Sequence, residues 1–321
     1  MTENEMPGID MPGNGTPGPV LMSARWVVGH EDGHYVLYEN GEVVFEHGEI
    51  TFIGHDFQGE VSRRVDCGQA LIGPGFIDLD ALADLDTTVL AFDNQPAWQK
   101  GRVWPADYMA TPREMYSAEE IAWQKRYAFA RLIRNGITTA LPISSLFYRE
   151  WAETRNEFAA AADDDLGLRV YLGPAYRSGN NVVRADGTLD QYFDEQRGLA
   201  GLADAECFCR DFEGTAGGLI RTMLAPDRIE TCTPKLLRRS AAVARDHGVP
   251  IRLHCCQSLF EYEVVLRLHG MSPPQWLASL DFLSERAILP HLTVVSWVNG
   301  GTHQAPDLEI IRDSGASLAH W

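Results

Sequence analysis

Beyond Gly73 the chain alternates short apolar runs with longer stretches in which apolar residues recur every three or four positions. That rhythm predicts parallel strands joined by amphipathic helices, an α/β class. Leu71-Ile-Gly-Pro-Gly-Phe-Ile-Asp-Leu-Asp-Ala-Leu82 reads as a buried apolar strand with a polar ending. Ser117-Ala-Glu-Glu120 has the form of an N-terminal capping box, opening a helix that stops at Asn135-Gly136. Strands follow at Ile137–Ile143, Leu168–Leu172 and Leu219–Ala225, with a helix over Arg149–Ala162 between the first two. Thr233-Pro234 caps a helix ending at His247-Gly248, further strands end near His254 and His291, and Ala316–His320 reads as the seventh strand.

The beginning of the chain has a different rhythm. Residues 1–19 are rich in Pro and Gly, with an imperfect Met-Pro-Gly repeat and no apolar period, and are expected to be a disordered tail. Over residues 20–70, alternating segments at Ala24–Val28, Tyr35–Tyr38, Glu42–Phe45 and Ile50–Ile53 are separated by Glu-Asp-Gly, Glu-Asn-Gly and His-Gly, which predicts a small antiparallel β unit. The larger domain is then expected over residues 71–321.

Composition changes the picture little. With 321 residues, 45% of them hydrophobic, the chain can bury a sizeable core. A formal charge of −18 argues against nucleic acid and anionic membrane surfaces as partners. Neither a membrane-length apolar run nor a secretory leader is recognisable, so a cytoplasmic location is expected. The six cysteines form no C-x-x-C pair and are expected to be reduced and mostly buried, Cys255 and Cys256 as barrel packing.

Three segments carry candidate chemistry. The first is the strand ending at Asp80 and Leu82; the second is Val249-Pro-Ile-Arg-Leu-His254-Cys-Cys-Gln257-Ser; the third is the run from Gly270-Met-Ser-Pro-Pro to Ala-Ile-Leu-Pro-His291. In this order and spacing they resemble barrel strands one, five and six of the metal-dependent amidohydrolase superfamily, nearest its cytosine deaminase and triazine hydrolase branch. The resemblance implies a (β/α)8 TIM-like barrel beside a small β unit, with the site at the C-terminal ends of the strands. It also exposes departures. Asp80 and Leu82 stand where the family has His-x-His, Gln257 stands where a catalytic Glu is usual, and Asp227, in Leu224-Ala-Pro-Asp227-Arg, stands where a substrate-binding His is usual.

By that resemblance His254 and Asp80 are metal ligands and His291 orients the attacking water. Gln257, Asp227 and Tyr176 are the expected substrate contacts, Asp227 having an internal ion pair as its rival role, and Asp78 is the expected structural carboxylate of the rim. His30, His34, His47 and His55 lie in the β unit and are assigned no metal. The implied cofactor is a divalent ion, Zn, Fe or Mn, since a carboxylate has replaced an imidazole; with Leu82 in a ligand position, its absence from this chain is also an expectation. The implied activity is hydrolysis of a non-peptide C–N bond in a small polar nitrogen-containing substrate; a homo-oligomer is compatible with it. Because only seven strands are countable and the family's eighth carries an Asp ligand, the chain is expected to be a truncated fragment. The rival reading is a catalytically degenerate barrel kept as a binding or assembly scaffold.

Overall fold

The computed structural model describes residues 18–82, 104–105, 117–143, 166–295 and 306–319. The chain divides into two compact units, Met1–Gly75 and Phe76–Trp321. The expected helix over Arg149–Ala162 and the terminal His320 lie outside the described residues.

In the first unit β1 (Val20–Glu31), β2 (His34–Glu46) and β3 (Glu49–Gly54) form an antiparallel meander. Its two-residue turns place Asp32-Gly33 and His47-Gly48 at positive φ, the geometry that suits the twist of a hairpin. Two expectations are corrected here. Glu39-Asn40-Gly41 is not a turn: β2 runs through it, with Asn40 alone at φ 54° and the register to β1 unchanged on either side. The unit is also mixed rather than antiparallel, because β4 (Arg63–Asp66) and β5 (Leu71–Ile72) pair parallel to β1.

Leu71–Ile72 therefore belongs to the first unit, and Gly73-Pro74-Gly75 separates it from β6 (Phe76–Leu82). A proline without an N–H between two glycines is a natural break in a ladder. The opening of β6 is not buried as expected either: Phe76 is 69% and Ile77 64% exposed.

The second unit continues with β7 (Trp104–Pro105), α1 (Ala118–Arg134), β8 (Ile137–Ile143), β9 (Arg169–Leu172) and β10 (Ala175–Tyr176). A hairpin, β11 (Gly179–Val183) and β12 (Leu189–Phe193), follows, then α2 (Glu195–Phe212), β13 (Ile220–Thr222), β14 (Ala225–Pro226) and α3 (Pro234–His247). β15 (Ile251–Arg252), α4 (Leu259–His269), α5 (Pro273–Ser279), β16 (Ala287–Pro290), α6 (Asp307–Ser314) and β17 (Ser317–Ala319) complete it. The hairpin is an addition to the elements that the sequence pattern predicts.

Capping fixes the helix bounds that the sequence predicts. Ser117 and Glu120 close a reciprocal capping box on α1, and Thr233 with Pro234 opens α3, which Gly248 ends at φ 68°.

β6, β8, β9 and β13 pair in parallel in chain order. Backbone bonds from Leu224 N–H to Pro250 and from Arg252 N–H to Leu224 carry the path on to β15, β16 and β17. Among the described residues, seven parallel strands thus follow one another in sequence, packed over apolar side chains such as Leu172, Leu224, Leu253 and Leu289. The two ends of the path, β6 and β17, line a groove of about 510 Å³ with Phe76, Ile77, Asp78, Leu318 and Ala319. No helix among the described residues is long and apolar enough to cross a membrane.

Candidate metal centre

Asp80 reaches the centre because its strand is irregular. Asp78 is opposite Ala140 in β8 and Ala81 opposite Pro142, so β6 carries one residue more than its partner over this step. Such a bulge re-aims side chains and leaves an N–H without a ladder partner. Here the Asp78 carboxylate accepts the Asp80 N–H at 3.0 Å, the rim role expected of Asp78. Asp80 is left 3% exposed, its side chain turned toward strands five and six.

His254 is anchored from both sides. Its backbone N–H donates to the Asp227 carbonyl and its own carbonyl accepts from Ile229 N–H, which ties the ends of strands four and five together. The imidazole Nδ1 lies 2.8 Å from the same Asp227 carbonyl. A carbonyl can only accept, so Nδ1 carries the hydrogen and Nε2 is directed into the site. His291 follows β16 at φ 77°, and its N–H donates to Ala319 of β17. A non-glycine residue in that region is uncommon and persists where its surroundings hold it.

These three elements bring Asp80, His254 and His291 together. Asp80 Oδ2 is 3.4 Å from His254 Nε2, the two imidazole centroids are 5.4 Å apart, and one donor atom from each residue lies within 4.8 Å of the others. Neither Asp80 oxygen has a hydrogen-bond partner, although both are buried. Burial pushes the Asp80 carboxyl upward, but His254, Arg252 and His291 together hold it below the usual carboxylate range. An anionic oxygen without hydrogen bonds beside two imidazole nitrogens suits a divalent cation, and three protein donors leave room for water in a fourth position. The residues present therefore fit Zn, Fe or Mn.

The remaining expected site residues go elsewhere. Leu82 offers no donor and is 44% exposed. Gln257 is exposed, and its N–H is held by Glu261. Asp227 is buried in an ion pair with Arg177, Nη1 to Oδ2 2.6 Å, and against the upward push of burial Arg177, Arg228 and His254 hold its carboxyl low. The internal pair is thus the arrangement seen, with Arg177 as its partner. Tyr176 is a correction: it is 5% exposed, packs in the core with Leu202 and Leu236, and donates to Ser240 of α3 at 2.8 Å. The apolar cluster that includes Leu202 of α2 and Leu236 of α3 takes up its ring, which keeps it from the rim.

Sequence reasoning also missed Arg252, which is 3% exposed inside the strand path. Its Nη1 donates to Leu141 O at 2.6 Å and Nη2 to Pro142 O at 3.0 Å, and Nη1 stands 3.5 Å from Asp80 Oδ1. A charged residue in the apolar run Val249–Leu253, two positions before His254 and so on the same face, was the available signal. Glu230 and Glu261 are a second buried pair behind this rim, both with raised proton affinity from burial, Glu261 further from Glu230 beside it.

The amidohydrolase family model matches residues 73–320. The chain belongs to the amidohydrolase family. Among relatives of this amidohydrolase, a 5-methylthioadenosine/S-adenosylhomocysteine deaminase of Natronomonas pharaonis is 26% identical over 278 residues, 86% of this chain and 56% of its own length. A 5'-deoxyadenosine deaminase of Methanosarcina barkeri is 26% identical over 284 residues, 88% of this chain and 57% of its own. The amidohydrolase chain thus spans little more than half the length of these relatives. Its fold is similar to that of a triazine hydrolase from Arthrobacter aurescens, with a TM-score of 0.73 at 19% identity, covering 94% of this chain and 65% of that one. An adenosine deaminase from Xanthomonas campestris with bound zinc gives 0.65 at 18% identity, covering 95% and 62%.

Proposed function

We propose that this chain carries the metal-holding part of a C–N hydrolase of the deaminase type, built on a (β/α)8 barrel of which residues 76–321 supply seven strands. The observation that carries the reading is the meeting of Asp80, His254 and His291 from three separate strand ends, with both Asp80 oxygens free of hydrogen bonds. Asp80 and His254 would hold the ion. A bound Zn, Fe or Mn would make a neighbouring water acidic near neutral pH.

The chain's own residues define the rest of the chemistry. His291, less buried than His254 and 5.4 Å from it between ring centroids, would orient that water and hold its proton. The Asp227 carbonyl keeps His254 in one tautomer, so its Nε2 stays directed at Asp80. Attack at an amino-bearing ring carbon would form a C–O bond and, after proton transfer to the leaving nitrogen, break the C–N bond and release ammonia. Gln257 cannot deliver that proton, because an amide does not titrate near neutral pH; its place is in hydrogen bonding to a substrate at the rim. Relatives named for deaminating 5'-deoxyadenosine and 5-methylthioadenosine make aminopurine nucleosides the substrate class of choice. Ammonia release from such nucleosides, tested with Zn or Mn present and with His291→Ala as control, checks the reading; metal-loaded protein inactive on nucleosides, triazines and cyclic amidines would overturn it.

One observation favours a second reading, a barrel retained for binding. Arg252 already balances the Asp80 charge, so the site is electrostatically complete without an ion.

A further inference from the structure

Arg252 is an unusual neighbour for a carboxylate that is to hold a metal. Both residues are 3% exposed, and the guanidinium is fixed by two carbonyls at the end of β8 while Nη1 stands 3.5 Å from Asp80 Oδ1. On the other side of the same carboxylate, Oδ2 faces His254 Nε2 at 3.4 Å. The two oxygens are therefore divided between a permanent cation and the imidazole pair. We propose that Arg252 is a built-in counter-ion that competes with the metal for Asp80, holding the carboxylate in place when no ion is bound and setting the affinity of the centre low.

The inference rests on the metal reading above, and its physics is simple. Arginine stays charged even when buried, and two cations drawn to one carboxylate in a poorly screened interior repel each other strongly. A metal approaching Asp80 meets that repulsion. Without Arg252 that repulsion would be gone, and the ion would bind more tightly. Lysine in its place would keep the charge and lose the two-pronged grip on Leu141 and Pro142.

The test is metal affinity of the full chain, stripped with chelator and titrated with Zn against a chromophoric competitor. Arg252→Gln is expected to bind Zn tighter by about tenfold or more, with Arg252→Lys remaining near the unchanged protein. A folded Arg252→Gln protein that binds no tighter overturns the inference. His254→Ala separates the two readings: Zn binding that His254→Ala abolishes but Arg252→Gln leaves unchanged removes only the counter-ion role, whereas no binding in either protein removes the metal centre as well. Should Arg252→Gln not fold, the double variant Asp80→Asn/Arg252→Gln decides. A cooperative melt in the double variant supports charge pairing; failure there too means that Arg252 is needed by the β8 carbonyls regardless of Asp80, and overturns the proposal.

Discussion

The carbonyl of Asp227 accepts from Nδ1 of His254 at 2.8 Å, and the Asp227 side chain grips Arg177 at 2.6 Å. One residue thus sets the tautomer of a candidate ligand with its backbone and anchors the loop after strand four with its carboxylate. A family position usually given to substrate binding has become a positioning element for His254.

That arrangement predicts a pH dependence. The Asp227 carboxyl is held below its ordinary value of 3.8, so its contribution is fully present above pH 3.8 and is lost as pH falls from there through the folded value. Asp227→Asn removes the carboxylate from the pair with Arg177 and is expected to cost about 3–5 kcal/mol at pH 7, as for breaking a buried pair. It should also flatten the loss of stability below pH 4. Urea melts of both proteins between pH 3 and 7 check both statements; parallel curves would show that the pair contributes nothing.

Metal loading tests the centre residue by residue. His254→Ala removes an anchored donor, and Asp80→Asn removes the only anionic one in the group. Each is expected to lower Zn affinity by about 100-fold, the upper end of what even supporting residues of a metal site give. His291→Ala should change affinity less and activity more, since His291 is proposed to orient the water. Elemental analysis after dialysis, alongside ammonia release, separates the two effects.

Tyr176→Phe distinguishes a core residue from a substrate contact. Loss of the hydroxyl bonded to Ser240 should reduce stability by about 1 kcal/mol. KM and kcat should both stay unchanged. A raised KM would return Tyr176 to the substrate side.

What the sequence revealed follows from how local each signal is. Caps are local, so Ser117/Glu120 and Thr233/Gly248 marked α1 and α3 closely. His254 and His291 were legible because each ends an apolar run, and the structure brings them to 5.4 Å between ring centroids. The β6 bulge is not local: whether Asp80 points inward depends on its register with β8, which no pattern within β6 records. Tyr176 was misread because a strand of two residues has too short an alternation to show its inner face. Arg252 was overlooked because a single charge in a buried strand gains meaning only once its carbonyl and carboxylate partners are known.

The exposed start of β6 predicts self-association. Phe76 and Ile77 are 69% and 64% exposed beside the groove that also meets Leu318 of β17, itself 48% exposed. An apolar strand edge of this kind offers both side chains and backbone groups to another chain, and proteins commonly blunt such edges with lysine. The 321-residue chain is therefore expected to associate increasingly as its concentration rises. Ile77→Lys, on a side chain that lies mostly in solvent, should leave the melting temperature within about 2 °C, since surface substitutions change stability by roughly 0.5 kcal/mol or less. It should shift the species seen by size-exclusion chromatography and light scattering toward the monomer. Equal association of both proteins across the same concentration range would show that this edge is not the sticky surface, and a large drop in melting temperature would show that Ile77 is packed rather than exposed.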